Sequence, residues 1–167
     1  MNKNLGVTDW ITGILTIRFD IEEGQLVDNC YPETLIPESL KKLIAYYSFP
    51  DSYVNRPEGE LYYFFQINFQ GTPLNCYVYF NQKKDSSVQR GFDQKSIVLL
   101  SRFHCIKIFK KLTQLAFEIN FTRNETDNLE YIFKSINLNN NPRVLIIDSK
   151  DFILKLDKKE MSLIISF

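Results

Sequence analysis

The chain has 167 residues with 20 basic and 20 acidic side chains, so its formal charge is zero and no global field draws it to nucleic acid or an anionic membrane. At this length a single domain buries roughly 70% of the surface its unfolded chain exposes, enough to fold without disulfide staples. Its three cysteines, Cys30, Cys76 and Cys105, lie in apolar runs without CxxC spacing, which fits a reduced, cytoplasmic setting. The first residues lack the apolar centre of a signal peptide, and no apolar run approaches the ~20 residues of a membrane span.

Residues 11 to 21 read as a half-buried strand, with Ile11, Leu15, Ile17, Phe19 and Ile21 on one face and Thr12, Thr16, Arg18 and Asp20 on the other. Glu22-Glu-Gly24 turns the chain into a second strand, Gln25 to Tyr31, ended by Pro32. Pro37 opens a helix to Tyr47, with Leu40, Leu43, Ile44 and Tyr47 at one-face spacing, and Ser48-Phe-Pro-Asp-Ser52 stops it. Residues 61 to 69 alternate Tyr63, Phe65, Ile67 and Phe69 with Tyr62, Phe64, Gln66 and Asn68, and the same period returns in Cys76, Val78 and Phe80. A polar excursion from Asn81 to Gln89 precedes a strand at 96 to 101.

Two amphipathic helices follow. The first spans 103 to 119 and turns Cys105, Ile108, Leu112, Leu115, Ala116 and Ile119 inward; the second spans 126 to 137 and buries Leu129, Ile132, Phe133 and Ile136. Val144 to Ile147, Phe152 to Leu156 and Leu163 to Ile165 are further strand pieces without an obvious place. This order predicts an α/β (α+β) sandwich: a five-stranded mixed or antiparallel sheet with the 37 to 47 helix on one face and two helices on the other.

The run Arg90-Gly-Phe-Asp-Gln-Lys-Ser-Ile-Val-Leu-Leu-Ser101 is the segment most like a signature. Gly91 gives the chain the freedom to turn sharply ahead of Ile97 to Leu100, and Arg90, Gln94, Lys95 and Ser96 are held at the strand's mouth, a place suited to recognition. Two uses are open for Arg90 and Lys95: positioning the turn, or meeting acidic groups on a partner. Ser48 to Ser52 is equally open between a helix stop and a contact loop. Glu22 and Glu23 in a solvated turn lack the desolvation that separates catalytic pKa values. Lys107, Lys110 and Lys111 form a basic helix stripe whose default use is solvation. Neighbouring helix positions diverge by about 100°, so His104 is a poor base for Cys105. One histidine with scattered cysteines lacks zinc spacing, and neither a GxxxxGK loop nor a GxGxxG turn is present.

Four ordered words carry a family resemblance. They are Phe19-Asp-Ile-Glu-Glu-Gly-Gln25 followed by Tyr31-Pro32; Ser48-Phe-Pro-Asp-Ser52; Tyr77-Val-Tyr-Phe80 with Gln82 and Asp85; and Arg90-Gly91 with Gln94-Lys-Ser-Ile-Val-Leu-Leu-Ser101. Together they resemble the upstream, longin-like lobe of DENN-domain proteins, subfamily six in particular, over roughly residues 14 to 119. Two departures are Asn81, where the family often has a basic residue, and Asp93, where an aromatic is usual.

The resemblance implies a longin-like domain over residues 1–140, with 141–167 as a tail or the start of a linker to a missing central DENN lobe. It implies the upstream lobe of a guanine-nucleotide exchange factor for Rab GTPases in membrane traffic, a GTPase regulator and not a catalyst of covalent chemistry. The alternative is a stand-alone longin-type interaction scaffold without exchange activity. Partners implied are a Rab GTPase and a downstream DENN lobe in cis or in trans, at endosomal or vesicle membranes reached only through partners. Neither cofactor nor metal nor nucleic acid is expected. The candidate contact residues are Asp51, Ser52, Arg90, Gly91, Gln94 and Lys95.

Overall fold

Strand residues alternate between faces, so strands that are apolar at nearly every position need cover on both sides. That requirement is met in a computed structural model of the chain, in which residues 9–50, 58–122, 128–138, 146–149 and 152–155 are described. Five strands, β1 (Gly13–Asp20), β2 (Gly24–Tyr31), β3 (Gly59–Phe69), β4 (Thr72–Lys84) and β5 (Phe92–Ser101), form one sheet in the order β2-β1-β5-β4-β3. Every neighbouring pair is antiparallel. Helix α1 (Glu38–Tyr47) covers one face, while α2 (Ile106–Thr122) and α3 (Asn128–Leu138) cover the other. Two further short strands, β6 (Ile146–Ser149) and β7 (Phe152–Lys155), pair as a hairpin. The expected sandwich, with one helix opposite two, is what forms.

Each face has its own core. Leu15, Ile17, Cys76, Val78, Phe80, Val98 and Leu100 meet Ile44 and Ala45 of α1. One residue over in each strand, Ile14, Tyr77, Tyr79, Ile97 and Leu99 meet Ile108, Phe109, Leu112 and Ile132. Tyr77 organises the second core: its ring stacks on Phe109 at 4.2 Å, and its hydroxyl donates to the Phe103 carbonyl at 2.8 Å and accepts from the Cys105 amide at 3.0 Å. A polar clasp closes the same layer. The Asn137 side chain on α3 accepts from the Ile11 amide at 3.0 Å and donates to the Ile11 carbonyl at 2.9 Å.

Several expectations change at the boundaries. Ile11 does not share a face with Leu15, because it precedes β1 and packs with the α2/α3 core, and Ile21 is exposed in the turn. β1 is buried on both faces from Gly13 to Ile17, so Thr16 is interior, where its Oγ1 accepts from the Asn29 amide at 3.1 Å. Pro37 is the residue before α1 and not its first turn, with an extended ψ of 151°. Leu43 and Tyr47, assigned inward by spacing, are exposed, since α1 buries only Ile44 and Ala45 fully. Cross-strand pairing carries β4 through Lys84 and starts β5 at Phe92, so much of the polar excursion is strand. The piece at Leu163 to Ile165 lies outside the described residues.

Leu99 has no solvent exposure and packs in the larger core. Leu99→Ala is expected to lower stability by about 2–5 kcal/mol in urea titrations, and a loss under about 1 kcal/mol would contradict two-sided burial of β5.

Candidate functional site

The β4–β5 hairpin ends in a turn built by its own polar atoms. The Asp85 amide donates to the Gly91 carbonyl at 2.9 Å, and the Gly91 amide donates to the Val88 carbonyl at 2.7 Å. Inside the turn the Asp85 carboxylate accepts from the Ser87 hydroxyl at 2.6 Å and the Ser87 amide at 2.9 Å. Those two bonds, the hydroxyl first, hold the Asp85 carboxyl below the usual carboxylate range, with a smaller pull from Lys95. Gly91 closes the loop at φ +76°, a left-handed conformation that glycine adopts without strain.

From this turn a polar ladder runs down the α1 face. The Arg90 guanidinium lies 3.9 Å over the Phe19 ring and its Nη1 donates to Gln94 Oε1 at 3.2 Å. Gln94 Nε2 donates to Gln82 Oε1 at 2.6 Å, directly across the strand pair. Phe19 in turn meets Phe49 at 6.3 Å and Phe49 meets Phe80 at 5.3 Å. Beneath them the Ser96 hydroxyl donates to the Ser48 carbonyl at 2.6 Å, fixing the exit of α1 to β5. Parts of all four sequence words therefore converge at one end of the sheet.

Arg90, Gly91 and Gln94 stand together there, but Lys95 does not join them. Strand alternation sends it to the α2/α3 face, where its Nζ lies 2.7 Å from Asp93 Oδ2 and 5.4 Å from the Phe121 ring. The expectation that Gln94 and Lys95 share a strand mouth fails because both are already inside β5. Asp51 and Ser52 lie outside the described residues. Phe19, Gln82 and Asp85 were not singled out as site residues from the sequence. The signal that finds Gln82 is its cross-strand register with Gln94, which appears only when β4 is extended past Phe80.

Nucleophilic chemistry finds no support at the cysteines whose titration is resolved. Burial pushes the Cys76 thiol up to about 12 and raises that of Cys30, so neither is held as thiolate. His104 and Cys105 both precede α2 instead of lying within it. The His104 ring meets the edge of Phe64 at 5.2 Å, and its Nδ1 lies 3.3 Å from Asn75 Oδ1. What the Arg90 end exposes is a cation beside the partly exposed Gln94 and Phe19, backed by the buried Gln82, Phe49 and Phe80.

No family model matches the chain. Curated relatives do. The sequence is 35% identical over 124 residues to Protein DENND6 homolog of Dictyostelium discoideum, covering 70% of this chain and 17% of that protein. It is 33% identical over 132 residues to human Protein DENND6B, covering 64% of this chain and 22% of the relative. Mouse Protein DENND6A is 31% identical over 147 residues, or 72% of this chain and 24% of the relative. The chain thus spans under a quarter of the length of these relatives, and within that span it is homologous to the DENND6 proteins.

Two outcomes test the turn. A Cβ at Gly91 would meet no atom within 4 Å, so the effect of Gly91→Ala is conformational alone, an expected loss of about 1–2 kcal/mol in thermal or urea unfolding. Because the folded-state pKa of Asp85 is depressed, its contribution is present above the ordinary carboxylate range and is lost as pH falls through the depressed value. The Ser87 amide resonance should follow that titration by NMR, and Asp85→Asn should abolish the acid transition.

Proposed function

We propose, on this homology, that the chain is the upstream, longin-like lobe of a DENN-type guanine-nucleotide exchange factor for a Rab GTPase. The carrying observation is the identity of 31–35% to three DENND6 proteins. The antiparallel sheet with one helix opposite two is consistent with that reading. In this proposal residues 1–140 form the lobe and 141–167, which include β6 and β7, lead toward a second, downstream lobe. Exchange of this kind forms no covalent bond. It stabilises the nucleotide-free GTPase relative to the nucleotide-bound form, and the differential affinity has to come from contacts made only in the former.

One lobe gripping one side of a GTPase supplies part of that difference, and the second lobe, in cis or in trans, supplies the rest. Arg90, Gly91 and Gln94 are the proposed contacts, with Asp51 and Ser52 on the adjoining segment; Lys95, on the opposite face, would serve a second contact. Recruitment to endosomal or vesicle membranes would pass through the partner. Among the described residues no helix is long and apolar enough to cross a membrane.

Release of fluorescent GDP from a panel of Rab proteins provides the test. The isolated chain is expected to bind a Rab while accelerating release little, and adding the downstream lobe of a DENND6 relative should restore exchange. Arg90→Ala should weaken binding while lowering the melting temperature only slightly, because its contacts to Phe19 and Gln94 are near the surface. Full exchange by the chain alone would overturn the two-lobe requirement. Absence of binding with the added lobe would leave an interaction scaffold as the better reading.

A further inference from the structure

A groove of about 880 Å³ follows the outer edge of β2, away from the Arg90 ladder. Its floor is the consecutive run Val27 to Glu33; Glu38 and Lys41 of α1 form one wall, and Phe121 of α2 with Glu130 of α3 forms the other. Residues of both helix layers therefore line the outer edge of β2, which pairs with no strand but β1 among the described residues. The Asn29 amide turns inward to Thr16 Oγ1, so strand alternation directs the N–H and C=O of Cys30 outward into the groove. A strand edge with a wall on either side is the geometry that adds a strand.

We propose that this groove takes an extended, lysine- or arginine-rich peptide as a sixth strand beside β2. Four carboxylates, those of Asp28, Glu33, Glu38 and Glu130, line it against the two ammonium groups of Lys41 and Lys95, of which Lys41 pairs with Glu38 at 2.7 Å. Arg18 and Lys134, which do not line the groove, pair with Asp28 and Glu130 through exposed contacts that an incoming cation can replace. The register passes from Thr16↔Asn29 to Ile17↔Val27, leaving Asp28 as an unpaired, exposed bulge. A bulged, charged edge resists indiscriminate pairing. A second copy laid edge to edge would set Asp28 and Glu33 against their own like charges, whereas a basic strand meets them with opposite ones. The proposal shares only Lys95 with the proposed GTPase contacts and takes another class of ligand, and the Asp28 and Glu33 variants that test it leave Lys95 in place.

The probe is a fluorescein-labelled peptide of roughly ten alternating Lys and Thr residues, long enough to pair along an edge strand, with a Glu and Thr counterpart as control. Fluorescence anisotropy on the full chain is expected to show binding of the first peptide and none of the second. Asp28→Lys with Glu33→Lys should weaken it about ten-fold or more. Glu33→Lys alone, outside any strand or helix, provides a second variant whose folding is checked by its thermal melt. Hydrogen exchange should show the β2 amides, Cys30 among them, slowed by the Lys and Thr peptide. Equal binding of both peptides, no binding of either, or binding without protection of β2 would overturn the proposal. So would sedimentation as a dimer whose β2 amides are already protected, which would seat a second copy there instead.

Discussion

Everything in this domain depends on a sheet that has no solvent face at its centre. β1, β5 and β4 place large apolar side chains on both sides, from Leu15 and Val98 below to Ile14 and Leu99 above, and each side needs its own helical cover. Burial of that kind is the main favourable term in folding, while every buried backbone group still needs a partner. The all-antiparallel ladder supplies those partners along the strands. At the strand ends side chains take over: Ser96 holds the Ser48 carbonyl, Ser101 holds the Trp10 carbonyl at 2.5 Å, and Asn75 holds the carbonyls of Ser101 and Phe103 at 3.2 Å each. Buried polar side chains thus sit where regular structure stops, and they fix how the helices leave the sheet.

Reading the sequence found the layers because their signals are periodic. The two sets in β3, Tyr63 to Phe69 on odd numbers and Tyr62 with Phe64 on even, do fall on opposite cores. The inward residues of α2 and α3 likewise pack as their spacing indicates. Errors came where pairing overrules composition. Asn81, Gln82, Lys83 and Lys84 look like loop, yet each is opposite a residue of β5 and is held as strand by the ladder. The exposure of Leu43 and Tyr47 has a related cause: helical spacing gives an apolar stripe but not its width, and Tyr47 stays exposed even though its ring meets Phe65 of β3 at 5.5 Å.

The candidate site was legible as words and illegible as geometry. Gly91 could be assigned to a turn because few other residues tolerate a φ of +76°. Separating Gln94 from Lys95 required the extent of β5, since the strand's alternating phase governs both only if it starts at Phe92 and not at Ser96. Once that phase is fixed, Gln94 and Ser96 belong with α1 while Asp93 and Lys95 belong with α2. Phe19, read first as one more apolar strand residue, is the platform under the Arg90 guanidinium. Its role could not be seen without the chain reversal that brings residue 90 back over residue 19.

The Asn137 clasp on Ile11 joins residues 126 positions apart, with both backbone groups of one held by a single amide side chain of the other. Synthesis proceeds from the N-terminus at about 5–20 residues per second, so that clasp is unavailable until α3 has left the ribosome. The sheet and the α1 core can assemble from residues 13 to 101, while Ile14 and Leu99 wait for cover. A nascent chain at that stage would show water a half-finished hydrophobic surface. The short interval before α3 arrives is therefore when this face of the sheet is most open to water, and among the described residues α3 is the helix whose arrival ends the exposure.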